Sequence, residues 1–126
     1  MLDASALLAL IRNEPGADVV AAVLSSAVMS AVNYSEVLKK VVERGGDANR
    51  IAAFTRKAGI TIIPFDEDQA KASADLYPMT KAHGMSFADR ACLALGLTRG
   101  ARILTAERKM AEIGLATAVK VIRHDP

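Results

Sequence analysis

Four short segments each place a carboxylate where a parallel strand would hand over to a helix. They are Met1-Leu2-Asp3-Ala4-Ser5, Asn33-Tyr34-Ser35-Glu36, Ser86-Phe87-Ala88-Asp89 and Leu104-Thr105-Ala106-Glu107. In an open α/β sheet, ligands bind outside the carboxyl ends of the strands. Four acids gathered at one such edge repel each other unless a counter-charge joins them. A divalent cation resolves that repulsion, and a carboxylate-bound divalent cation is suited to phosphodiester cleavage.

Taken one at a time, each acid also has a structural use. Asn33-x-x-Glu36 fits a capping box with Asn33 as the N-cap, and Ser86-x-x-Asp89 fits the same template loosely. Asp3 can cap the first helix, and Glu107 suits a helix N-terminus through the dipole. Capping alone, however, requires no convergence of the four. The two roles are compatible, because one carboxylate oxygen can cap while the other binds metal.

The elements that must position these acids follow from the apolar pattern. Leu2 starts a very short extended stub. Helices are predicted over 4–12, 17–25, 33–44, 47–59, 66–82, 86–98 and 107–113, and strands over 27–30, 60–63, 102–105 and 119–122. Apolar strands alternating with helices predict an α/β fold: a three-layer α/β/α unit with a mainly parallel sheet of about five strands. If the stub, 27–30 and 102–105 are parallel neighbours, all four acids leave the same sheet edge. Residues 1–126 read as one domain with no internal repeat or linker.

Composition narrows the classes. With 52% hydrophobic residues a packed core is expected. No apolar run reaches the ~18–20 residues of a membrane span, and no signal peptide is visible, so a cytoplasmic protein is expected. A single cysteine, Cys92, excludes an intramolecular disulfide and a multi-cysteine zinc site. The net charge of +2 is too mild to read nucleic-acid binding from charge alone. If four acids share one pocket, the remaining surface is more basic than that total.

Leu2-Asp3-Ala4-Ser5-Ala6-Leu7-Leu8-Ala9-Leu10, Ser30-Ala31-Val32-Asn33-Tyr34-Ser35-Glu36-Val37, Ser86-Phe87-Ala88-Asp89-Arg90-Ala91-Cys92-Leu93-Ala94-Leu95 and Leu104-Thr105-Ala106-Glu107-Arg108 together resemble the successive motifs of PIN-domain ribonucleases. The VapC toxins of bacterial toxin–antitoxin pairs are the nearest likeness, and it spans essentially the whole chain. The resemblance implies an Mg²⁺- or Mn²⁺-dependent endoribonuclease restrained by a VapB-like antitoxin, and a homodimer. It matches Asp3, Glu36 and Asp89 to the family's first three acids, and Ser5 and Thr105 to supporting hydroxyls. The fourth acid is usually Asp; here it is Glu107, one methylene longer.

Within that expectation Asp3 and Asp89 are the principal metal ligands. Glu36 ligates directly or orients a metal-bound water, and Glu107 acts through water or completes a second site. Lys39, Lys40, Arg44 and Arg90 are candidate contacts for RNA phosphates, although a solvated helix face predicts the same residues. Leu7, Leu8, Ile11, Val19, Val23, Leu24, Val37 and Val41 are candidates to line a groove for an amphipathic antitoxin helix. His83 is read as a helix-end residue, His124 as an exposed tail residue, Cys92 as core, and Asp66-Glu67-Asp68 as a helix start. Two alternatives stay open. One is a degenerate PIN fold that only binds. The other is an aspartyl-phosphate phosphoryl-transfer domain, which Asp3-x-Ser5 disfavours because paired acids are expected on that strand.

Overall fold

In a computed structural model, which describes residues 1–113 and 118–123, helices dominate and every paired strand is parallel. The strands are β1 (Val28–Ser30), β2 (Thr61–Ile63), β3 (Ile103–Thr105) and β4 (Val119–Val121). β1 pairs with β2 and β3 with β4. The predicted first strand shrinks to a one-residue bridge, Leu2 to Leu104, which stitches the two pairs together. The Leu2 N–H donates to Val28 O at 3.0 Å, Leu104 N–H to Met1 O at 2.8 Å and Asp3 N–H to Leu104 O at 3.1 Å. The order across the molecule is therefore β2, β1, Leu2, β3, β4, and Leu2 is fully buried at its centre.

The helices are α1 (Ala4–Ile11), α2 (Ala17–Ala21), α3 (Ala31–Glu43), α4 (Ala48–Ala58), α5 (Glu67–Asp75), α6 (Tyr77–Thr80), α7 (Phe87–Arg99) and α8 (Arg108–Ala111). One apolar cluster packs α1 around Leu2, Val20, Met29 and Val37; a second joins α7 to Ile103 and Met110. α7 can lie against β3 because Gly96 carries no side chain. A Cβ there would fall 2.7 Å from Ile103 Cδ1, and this close approach outweighs the roughly 1 kcal/mol cost of glycine inside a helix.

Three sequence expectations are corrected. The helix predicted over 66–82 breaks at Leu76 into α5, α6 and a 3₁₀ turn at Lys81–His83. Pro78 is the cause: it has no N–H for the carbonyl of residue 74 and its ring collides with that carbonyl. The helix predicted over 17–25 ends at Ala21, and Leu24–Ser26 forms a 3₁₀ turn closed by Ala27 N–H to Leu24 O at 3.2 Å. The third helix starts at Ala31 rather than Asn33. Ser30, the last residue of β1, is its N-cap and accepts from Val32 N–H at 3.2 Å. No helix among the described residues is long and apolar enough to cross a membrane. His124 lies outside the described residues.

Candidate active site

The chain turns from extended to helical at Asp3, and that residue is built in rather than displayed. It is 3% exposed. Its Oδ1 accepts from Ser5 Oγ at 2.7 Å and from Ala6 N–H at 2.9 Å, while Oδ2 accepts from Thr105 Oγ1 at 2.6 Å. Ser5 and Thr105 in turn accept from Ala106 N–H at 2.9 Å and Glu107 N–H at 3.0 Å. Each hydroxyl thus gives its single proton to Asp3 and takes one from the backbone beyond β3. This network joins the start of the chain to a segment about a hundred residues later. Burial pushes the Asp3 pKa up to about 6, although the bonds from Thr105, Ser5 and Ala6 pull the other way. A carboxylate offers about four lone-pair sites, and three are taken here; the remaining one is on Oδ2.

A cavity of about 880 Å³ is lined by Glu36, Asp89 and Glu107 together with Lys39, Lys40 and Lys109. Asp3 is not part of that lining; the charge of Glu107 is nonetheless close enough to raise the Asp3 pKa further. Asp89 is in the first turn of α7 and completes a full capping box. Ser86 N–H donates to its Oδ2 at 3.0 Å, and Asp89 N–H donates to Ser86 Oγ at 3.1 Å. Capping and cavity therefore coexist at this residue. Glu36 behaves differently. The cap of its helix is Ser30, so Glu36 is released from the capping box expected with Asn33, and its Oε1 pairs with Lys40 at 3.3 Å. Asn33 is buried and donates from Nδ2 to Ala88 O at 2.9 Å. That bond ties α3 to α7 one residue before Asp89 and one turn before Glu36, so it sets the separation of the two acids.

Glu107 is the N-cap residue of α8 but makes no side-chain capping bond. Lys109, absent from the sequence reading, sits between two of the acids. Its Nζ is 3.2 Å from Asp89 Oδ2 and 3.5 Å from Glu107 Oε2, and it donates to Gly84 O at 3.4 Å. Burial lowers the Lys109 pKa, and the carboxylates of Asp89 and Glu107 more than offset this, leaving it raised. The contact to Glu107 is an ion pair without hydrogen-bond geometry, so Oε2 is buried with no hydrogen-bond donor. Among the described residues no three acid, histidine or cysteine side chains stand close enough to hold one metal ion together. The donor chemistry nonetheless suits a hard divalent cation: carboxylate oxygens, one of them buried and unsatisfied, with a free lone pair on Asp3. A cation entering among Asp89 and Glu107 must displace the Lys109 ammonium.

The other expected residues divide. Lys39 and Lys40 reach the cavity; Lys39 is held by Glu43 at 2.9 Å. Arg44 is the exposed C-cap of α3. Arg90 turns away from the cavity lining. Its guanidinium lies 5.4 Å over the Tyr77 ring and donates to Met85 O at 3.3 Å. Cys92 is fully buried and its thiol pKa is pushed well up by burial, as fits core packing. Asp66 caps α5 by accepting from Gln69 N–H at 3.0 Å, a structural role. The cavity also has an aromatic wall, Phe65 and Phe87, that the sequence reading passed over. The available signal was a large aromatic residue within the Ser86-x-x-Asp89 capping pattern, where packing requires none.

Comparison with known proteins follows the same outline. The PIN domain family matches residues 1–115. Among solved structures, a chain of a toxin-antitoxin complex from Klebsiella pneumoniae superposes with a TM-score of 0.74 at 18% identity, with 98% of each chain covered. That likeness concerns the fold. No curated protein matches the chain. Asp89 departs from the expected strand-to-helix handover, since α7 follows the 3₁₀ turn at Lys81–His83 and not a strand. Matched over residues 1–115, the chain belongs to the PIN domain family.

Proposed function

We propose that this chain is a VapC-like toxin of a bacterial toxin–antitoxin pair, a cytoplasmic endoribonuclease that hydrolyses RNA phosphodiester bonds with Mg²⁺ or Mn²⁺. The observation that carries the reading is the cavity itself: three acids and three lysines line it, and one of those acids, Glu107, is electrostatically coupled to the buried Asp3. PIN domains are generally nucleases that use divalent ions. The fold shared with the Klebsiella complex supports the toxin assignment.

Asp3, through its remaining Oδ2 lone pair, and Asp89 would hold the ion, with Glu36 and Glu107 ligating directly or through water. Once bound, it would activate water and polarise the scissile phosphate. The remaining work belongs to the chain. Ser5 and Thr105 donate to Asp3 and favour its charged form, which a cation needs. Lys39 and Lys40 offer charge to the RNA backbone at the cavity rim. Lys109 holds Asp89 and Glu107 in place until a cation or a phosphate takes over one of its contacts.

One partner surface follows. Of the residues expected to face an antitoxin, Leu7, Leu8 and Val37 are core, because the short sheet leaves them as its main cover. Ile11 and Val41 instead line a separate groove of about 510 Å³ with Leu10, Ile51 and the 39%-exposed Phe54. This groove is the proposed seat of an amphipathic VapB-like helix. The homodimer rests on the family resemblance.

A non-catalytic binding module is the second reading, favoured by Lys109 already neutralising two acids. The phosphoryl-transfer alternative fares worse, since a buried Asp3 with both oxygens hydrogen-bonded is a poor nucleophile. The test is RNA cleavage by purified, antitoxin-free protein with Mg²⁺ or Mn²⁺. Cleavage should stop with EDTA and in Asp89→Asn while that variant stays folded. Undiminished cleavage under both conditions rejects the proposal, and failure of Mn²⁺ to bind selects the binding module.

A further inference from the structure

Phe87 is 50% exposed, yet its position is fixed from two sides. It is the first residue of α7, directly after the Ser86 cap, so the capping box that holds Asp89 also sets the turn that carries Phe87. Its ring meets Phe65 edge to face, with centroids 5.4 Å apart and planes at 89°. An edge-to-face pair consumes only one ring face, whereas a stacked pair would consume two. Both rings line the cavity that contains Glu36, Asp89 and the three lysines. A rigid, half-exposed aromatic face, cations and acids therefore share one cavity of nucleotide-binding size.

We infer that Phe87, braced by Phe65, is the stacking platform for an unpaired base of single-stranded RNA, next to the phosphate that enters among the acids. The inference rests on the ribonuclease reading and adds a substrate constraint to it. Base–aromatic stacking needs a base that is free of a helix, and it tolerates any sequence because every base has a π-face. Lys39 and Lys40, which line the same cavity from α3, supply the backbone contacts that such a platform requires. An apolar partner helix would use the ring's bulk but would leave the charges around it unmatched.

The chain contains no tryptophan, so Phe87→Trp introduces its sole indole. In EDTA, where the proposed nuclease is silent, a short single-stranded oligoribonucleotide should quench that indole's emission saturably. The same sequence annealed into a duplex should not. Phe87→Leu, which keeps apolar bulk but lacks a π-face, should lose roughly 5- to 150-fold in affinity for the single strand, and Phe87→Tyr should retain it. Tight binding by Phe87→Leu, or equal quenching by the duplex, overturns the platform while leaving the ribonuclease reading intact if RNA is still cut. Absence of any RNA binding by the parent protein, together with absence of cleavage, overturns both.

Discussion

Asp3 is the acid whose energetics the structure defines best, and in the metal-free protein its replacement by Asn should gain stability relative to the parent as the pH rises, whatever constant cost the amide incurs beside the Thr105 hydroxyl. The carboxyl titrates at about 6 in the fold, against 3.8 for an ordinary aspartate. A carboxyl raised in this way binds its proton more tightly folded than unfolded. Its contribution to stability is therefore fully present below about pH 4 and is lost as the pH rises through 6. A gap of about two pH units corresponds to ~3 kcal/mol. No discount for solvent screening applies at 3% exposure. Asn removes the charge but keeps the N-cap, since Asn and Asp cap about equally well. In EDTA, then, the parent should fall behind Asp3→Asn by ~3 kcal/mol between pH 4 and pH 7.5, or roughly 10 °C in Tm for a chain of this length. Denaturant melts of both proteins across that range measure the difference, in which all other titrating groups cancel. Saturating Mn²⁺ should restore the parent alone, because a nearby cation favours the charged carboxyl. A parent–variant difference that stays flat from pH 4 to 7.5 would refute the reasoning and show that the hydroxyl network fully compensates the burial.

Lys109→Met should raise Mn²⁺ affinity by about 2- to 10-fold, the scale of a partly exposed ion pair, as measured by calorimetry; an unchanged affinity would mean that the ammonium does not compete for Asp89 and Glu107. Glu107→Gln should weaken Mn²⁺ binding less than Asp89→Asn does if Glu107 works through water, and equally if it ligates directly; Glu107→Asp separates reach from charge. Phe54→Asp should abolish co-purification of a VapB-like antitoxin without loss of RNA cleavage; retention of both would move the partner away from the groove lined by Ile11, Val41 and Ile51.

Much of the candidate site's local structure was legible because helix starts leave local marks, even where, as before α7, no strand precedes the helix. Asp3 follows the apolar Leu2, Glu107 follows Thr105, and Ser86-x-x-Asp89 carries the cap it goes on to form. Local marks fail where two candidates lie one turn apart. Ser30 and Asn33 both make good caps, and only the end of β1 at Ser30 decides for Ser30. Freed from capping, Asn33 spends its amide on Ala88, 55 residues away, a partner that no local pattern announces. Lys109 is hidden for the same reason, since Asp89 lies twenty residues before it and Gly84 twenty-five. The break at Leu76 is the opposite case. Pro78 is itself a local mark, and it accounts for a break within 66–82 that a single long helix leaves out.

The four acids are held in two distinct ways, and the difference bears on how the site works. Asp3 is fixed by three hydrogen bonds inside the core, where any movement would break donors shared with Ser5, Thr105 and the backbone beyond β3. Glu36, Asp89 and Glu107 face a cavity and are balanced by lysines on their own or neighbouring helices. A rigid, desolvated anchor makes a cation's binding costly to mimic with a flexible ammonium, while the cavity acids can exchange an ammonium for another cation with little rearrangement. Specificity for a divalent ion would thus be set by Asp3, and the ease of loading by Lys40 and Lys109. On this division of labour, substitutions at Ser5 or Thr105 should change ion affinity through Asp3, whereas substitutions at Lys40 or Lys109 should change the ionic-strength dependence of loading, because only the cavity pairs are open to screening by salt.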